Sequence, residues 1–309
     1  MATVNTAWDQ VSANTFKTWM IMFLFSIFAV SVVYILARGY GYGESGGLGL
    51  VGMAFIMAGV MNFISYYFSD KIVLGISGAK LVKKESNIQL YRMVENLCIA
   101  AGLPLPKIYT IDDSATNAFA TGRDPKHAAI AFTTGILQKL NKQELEGVTA
   151  HELSHVGNRD TLLMSVVSIL VGTIALLSDW FLRSMWYGSR RDDRDNKSGA
   201  IFAVLALVAA ILAPIVATLI QLSVSRRREL LADASGVLLT RYPQGLISAL
   251  QKISSDKEPL EVANRGTAHL YIINPLKGSQ AIGWFASLFN THPAIEVRIK
   301  ALKEMEGKV

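Results

Sequence analysis

His151-Glu152-Leu153-Ser154-His155 is an H-E-x-x-H stretch, and the rest of the chain is read outward from it. On a helix, residues four apart are offset by ~6 Å along the axis and ~40° around it, so both imidazoles emerge on one face. Two imidazoles so placed can bind one zinc ion, and the intervening Glu152 can reach a water on that ion. Local signals support a helix. Asn141 can cap it, and Glu144 falls at the third helical position, an N-x-x-E form of the capping box. Leu145, Val148 and Val156 continue an apolar stripe beside the histidines. No proline interrupts Asn141 to His155, and Gly157-Asn158 reads as the stop. The alternative is a chance match on a buried helix, since the pattern fixes only three positions.

Composition sets the surroundings of that helix. The chain has 309 residues, of which 51% are hydrophobic and only 17% charged. Its mean hydropathy is +0.34. That is too apolar for an ordinary soluble domain and predicts membrane spans joined to a polar part. The net charge of +6 fits basic residues at membrane ends. No basic run carries interleaved aromatics, which argues against nucleic acid as a partner. Cys98 is the single cysteine, so neither an internal disulfide nor a Cys-rich zinc site is available.

Four apolar runs have the length or composition of membrane spans: Trp19–Ala37, Leu48–Phe68, Thr161–Ser178 and Ala200–Val224. The first lacks the basic start of a cleaved signal peptide and reads as an anchor. The last contains Pro214, a kink that membrane helices tolerate. Gly47 to Gly52 forms a formal G-x-G-x-x-G, but no strand precedes it. We read small residues for close helix packing there, and no nucleotide. The expected fold is a mainly α membrane protein with four transmembrane helices and a cytoplasmic α+β zincin-like domain holding a small sheet. The expected division is an N-terminal hairpin over 19–68, a catalytic part over 69–160, a second hairpin over 161–224 and a helical part over 225–309.

Within the polar parts, Asn87–Ala101 has the apolar spacing of an amphipathic helix, and Lys107–Ile111 reads as a strand. Two more short strands, 117–122 and 128–133, would complete a sheet beside the H-E-x-x-H helix. The free edge of Asn117, Ala118, Phe119 and Ala120 could pair with an extended substrate backbone; a purely structural strand is the alternative. After the last span comes Ser225-Arg226-Arg227-Arg228, suited to lipid headgroups, and then Glu229-Leu230-Leu231-Ala232-Asp233. Glu229 is read as a third zinc ligand, because zinc hydrolases use two histidines and one carboxylate. Asp233, one helical turn on, can accept the second ring N–H of a ligand histidine. A solvated acidic face balancing the arginines is the competing reading for both. His269 and His292 are further candidates for metal or transition-state contact, while His127 lies in a polar turn and reads as surface. Ile295, Ile299 and Leu302 give the final helix one apolar face.

Taken together, H-E-L-S-H between two membrane hairpins, S-R-R-R-E-L-L-A-D after the fourth run, N-A-F-A-T-G upstream and T-H-P before the last helix resemble the HtpX family. That family belongs with the CAAX prenyl proteases among membrane-embedded zinc metallopeptidases. The resemblance implies one Zn2+ per chain on His151, His155 and Glu229, with Glu152 as catalytic base. It raises Asp233 to a partner of a ligand histidine and Asn117 to Gly122 to a substrate strand. It further implies an ATP-independent endopeptidase of the bacterial inner membrane, multi-pass and with its catalytic part facing the cytoplasm. Misfolded or damaged membrane proteins would be its substrates and lipids its surroundings, with a link to stress. Lys17, Lys71, Lys80, Lys83, Lys84 and Arg226–Arg228 favour that orientation, although the basic 183–198 loop would then lie outside. A processing protease for lipid-modified tails would need a chamber of more spans. A non-catalytic membrane scaffold or chaperone with a vestigial metal site would show a broken ligand set.

Overall fold

The computed structural model describes residues 7–39, 44–188, 226–264, 266–275 and 293–307. The fourth apolar run, 200–224, and His292 lie outside the described residues.

Two long helices come first, α1 over Ala7–Gly39 and α2 over Glu44–Ile76. Among the described residues, Val11–Tyr34 and Gly47–Ile76 are the stretches long and apolar enough to cross a membrane. Both helices run past the expected limits. α1 begins ahead of the expected Trp19, and Asn14 and Thr18 there are buried against the rest of the protein. α2 continues beyond Asp70 and Lys71 because Val73 and Leu74 enter a core. The G-x-G-x-x-G stretch is helical, and a Cβ on Gly47, Gly49 or Gly52 would meet nothing within 4 Å. Among the described residues, the close packing expected at those glycines is therefore not seen. Phe16, Phe23, Phe55, Ile56 and Phe63 are exposed, an apolar surface of the kind that meets lipid.

The sheet has four strands in the order β1-β2-β4-β3. β1 is Lys80–Leu81, β2 Lys107–Ile111, β3 Ala118–Thr121 and β4 Ala129–Thr133. β2 and β4 are parallel, and the other two pairings are antiparallel. β1 is too short to show periodicity in the sequence. α3 (Ile88–Ala101) starts where Asn87 caps it and stops at Gly102, whose φ of 65° is left-handed. α4 (Thr134–Lys139) leads into α5 (Lys142–Gly157), the H-E-x-x-H helix, whose Asn141/Glu144 capping box is formed in both directions. α6 (Asp160–Gly188) carries the third apolar run. Then follow α7 (Arg226–Thr240), α8 (Pro243–Ser255) and α9 (Ile295–Lys303).

Three cores fix how these elements sit. On one sheet face, Ile108, Ile130 and Phe132 pack with Val94, Val148 and Leu250 of the surrounding helices. On the other, Phe119 and Ala131 meet Val73 of α2 and Met164 of α6. A third core joins Ile21 and Phe25 of α1 to Leu163, Val167 and Leu170 of α6. The sheet is thus covered on both faces, which accounts for the fully buried β3 and β4. The end of α2 and the start of α6 pack on one face of the sheet, and the H-E-x-x-H helix packs on the other.

Candidate metal centre

α5 turns Val148, Ala150, Leu153 and Val156 into the core and leaves His151, Glu152 and His155 to the side where α7 crosses it. α7 approaches closely because Gly236 has no side chain: a Cβ there would lie 3.0 Å from the backbone nitrogen of His151. The crossing brings Glu229 to the two imidazoles. His151 Nε2 is 3.7 Å from Glu229 Oε2, His155 Nε2 is 3.5 Å from Glu229 Oε1, and the two Nε2 atoms are 3.2 Å apart. All three side chains are buried. Donors about 2.0–2.2 Å from a tetrahedral ion are separated by about 3.4 Å, so this spacing suits a single zinc-sized cation.

The outer nitrogens confirm which ring atoms face the centre. His151 Nδ1 lies 2.9 Å from Asp233 Oδ1, and His155 Nδ1 lies 3.0 Å from Asp160 Oδ2. Each Nδ1 therefore carries the proton that it donates to a carboxylate, and each Nε2 points inward. Asp233 is in turn gripped by Arg298 of α9, through Nε to Oδ2 at 2.8 Å and Nη2 to Oδ1 at 2.6 Å. Arg298 is fully buried, and its Nη1 donates to the carbonyl of Ile272 at 3.0 Å. Burial works to raise the Asp233 carboxyl, but the Arg298 charge and hydrogen bonds outweigh it and hold it down at about 2.

Glu152 is buried beside the same cluster. Burial pushes its carboxyl up to about 8; the His155 ring pulls the other way, and the Glu229 charge adds to the rise. The backbone N–H of Ala120 donates to this carboxylate, so β3 borders the site through its outer edge. That edge also receives the N–H of Ile272 at the Ala118 carbonyl, 3.1 Å away. The Asn117 side chain donates to the Ile273 carbonyl at 3.0 Å. Phe119 points to the opposite sheet face, stacked edge-on against Tyr271. The expected free edge is thus partly occupied by the chain's own 271–273 segment.

His269 is turned elsewhere, with its Nε2 3.1 Å from the Met164 carbonyl and 3.3 Å from Ser168 on α6. His127 is exposed and paired with Asp124. Sequence reading passes over Arg298 and Asp160. A signal for Arg298 exists: it falls three residues after Ile295 and four before Leu302, a charge on the apolar face of the last helix. For Asp160 we find none, since its position at the head of an apolar helix also fits ordinary stabilisation by the helix dipole.

The model of Peptidase family M48 matches residues 84–306. A protease HtpX homolog of Dictyoglomus thermophilum is 46% identical over 300 residues, covering 97% of this chain and 95% of that protein. A protease HtpX homolog of Caldanaerobacter subterraneus subsp. tengcongensis is 44% identical over 306 residues, covering 98% and 99%. The crystal structure of S. mikatae Ste24p aligns with a TM-score of 0.49 and 21% identity, over 93% of this chain and 66% of that one.

Proposed function

The chain belongs to peptidase family M48, and from that membership we propose an integral-membrane zinc metalloendopeptidase whose metal is held by His151, His155 and Glu229. The observation that carries the reading is the buried convergence of two Nε2 atoms and one carboxylate at 3.2 to 3.7 Å. When bound, zinc supplies a Lewis acid for the peptide carbonyl and brings a water within reach of deprotonation near neutral pH. Glu152 takes that proton and delivers it to the leaving amine. Burial raises the Glu152 carboxyl, which suits it to hold the proton between the two steps. Asp233 and Asp160 keep the two imidazoles in the tautomer that presents Nε2. His292 remains a candidate for stabilising the oxyanion. β3, from Asn117 to Ala120, is the candidate substrate strand, with the substrate replacing the contact of Ile272 on Ala118.

Substrates in this reading are misfolded or damaged membrane proteins, and the location is the bacterial inner membrane with the catalytic part in the cytoplasm. The division into hairpins over 19–68 and 161–224 and catalytic parts over 69–160 and 225–309 belongs to the same proposal. Three features support a site at headgroup depth. Trp19 and Tyr66 stack at 5.5 Å, Arg123 lies over the Tyr67 ring at 5.3 Å, and aromatic residues of this kind favour the interface. Asn14, which bonds Asp160, precedes Trp19 by five residues, about 7.5 Å of helical rise.

Glu152→Gln tests the chemistry. The variant should retain about one zinc per chain yet lose casein cleavage by at least ~100-fold. Cleavage at the wild-type rate would overturn the assignment. Chelation should stop the wild-type enzyme, and added Zn2+ should restore it.

A further inference from the structure

The two ligand histidines are not supported alike. His151 leans on Asp233 and Arg298, which α7 and α9 supply. His155 leans on Asp160, and Asp160 is held from within the first apolar helix. Asn14 Nδ2 donates to Asp160 Oδ1 at 2.6 Å and to the carbonyl of Asn158, the residue that ends α5, at 3.0 Å. Asn14 Oδ1 accepts from Arg228 Nη1 at 3.3 Å, and the same Nη1 reaches Asp160 Oδ1 at 3.1 Å. The oxygens of Asp160 are therefore divided: Oδ2 faces the His155 Nδ1, while Oδ1 is shared by an amide and a guanidinium.

Asn14 is 3% exposed and Asp160 1%, so these bonds form away from water. There a lost partner costs the desolvation of whatever it satisfied. The directionality of the amide is also informative. Its two N–H groups meet two acceptors and its oxygen meets a cationic donor, an arrangement that neither Asp nor a hydrophobic residue reproduces. A polar side chain at the start of a candidate membrane span is costly unless it is matched in this way. The neighbouring polar contact between the apolar helices differs. Asn62 of α2 donates to Ser26 Oγ at 2.8 Å and to the Met22 carbonyl at 3.1 Å, joining α2 to α1 without touching Asp160.

We infer that Asn14 is a positioning residue of the metal centre: by holding Asp160 it sets the His155 ring, so the N-terminal apolar helix is a component of the site as well as an anchor. This rests on the metal reading proposed above. Asn14 touches neither metal nor substrate and acts through Asp160. Without its amide, Asp160 Oδ1 is left to the Arg228 guanidinium, and Oδ2 is held less firmly toward the His155 ring. The consequence is a looser metal site in a chain that otherwise packs normally.

The test uses the full chain purified in detergent. Wild type, Asn14→Ala, Asn14→Gln and the control Asn62→Ala are loaded with zinc, and metal retention is followed against a chelator. The same proteins are then loaded with Co2+, whose visible absorption reports ligand geometry. Loss of an outer partner of a ligating histidine weakens metal affinity by ~10–100-fold, and one step further out we expect on the order of tenfold. Asn14→Ala should show that loss together with a shifted Co2+ spectrum. Asn14→Gln keeps both donors but displaces them by a methylene, and it should shift both readouts in the same direction. Asn62→Ala should match wild type in both. Wild-type retention and spectra in both Asn14 variants would overturn the inference and leave the peptidase reading standing. Equal losses in Asn62→Ala would also overturn it, because any loosening of the hairpin would then suffice. A wild-type chain that holds no stoichiometric metal would instead defeat the proposed function.

Discussion

Arg298 and Asp233, 65 residues apart in sequence, form a two-pronged ion pair, with contacts of 2.8 and 2.6 Å in the protein interior. The pair determines how His151 is held, because Asp233 spends its remaining capacity on His151 Nδ1 at 2.9 Å. Removing the cation leaves a buried carboxylate uncompensated. Arg298→Met should therefore destabilise the protein by about 3–5 kcal/mol, read as a lower thermal or denaturant midpoint. A midpoint within error of wild type would show that the pair is not needed to hold α9 in place.

The same pair gives an acid signature. Unfolded aspartate titrates near ~3.9, while Asp233 in the folded protein is held down at about 2. A lowered folded pKa means that the native state favours the charged form. Its stabilisation is complete above about pH 4 and is lost as pH falls through about 2. The stability gap between wild type and Asp233→Asn should accordingly narrow between pH 4 and pH 2. A gap that stays constant across that window would mean that Asp233 is not held in its charged form by folding.

Glu229 can be separated from the histidines by stoichiometry. Glu229→Ala removes one of three donors and should lower bound zinc well below one per chain after dialysis, with cleavage lost in parallel. Full zinc occupancy in that variant would remove Glu229 from the ligand set.

Two glycines distinguish packing from site geometry. A Cβ at Gly147 would lie 2.8 Å from the backbone nitrogen of Leu246, so Gly147→Ala must push α8 away from α5. We expect a loss of about 1–3 kcal/mol in stability with little change in metal affinity. A Cβ at Gly236 would sit 3.0 Å from the backbone of His151, so Gly236→Ala displaces α7, which carries Glu229. Its effect should fall mainly on metal retention, measured by chelator competition. Equal metal retention in the two variants would refute this division.

What the sequence determined by itself is whatever lies within a turn or two of helix, or within one short strand. The Asn141/Glu144 capping box, the Asn87 cap and the limits of α3 and β2 follow from bonds between residues three or four apart or from a brief apolar pattern. The placement of His151, Glu152 and His155 on one helix is local in the same sense. Tertiary structure alone decided how these rings are supported. Asn14 and Asp160 are 146 residues apart, and Arg298 stands 147 from His151. Their meeting depends on α1 packing on α6 and on α9 closing over α7. No periodicity in the chain encodes such encounters, since they follow from which apolar faces bury against one another, and only then does a buried charge find the partner it requires.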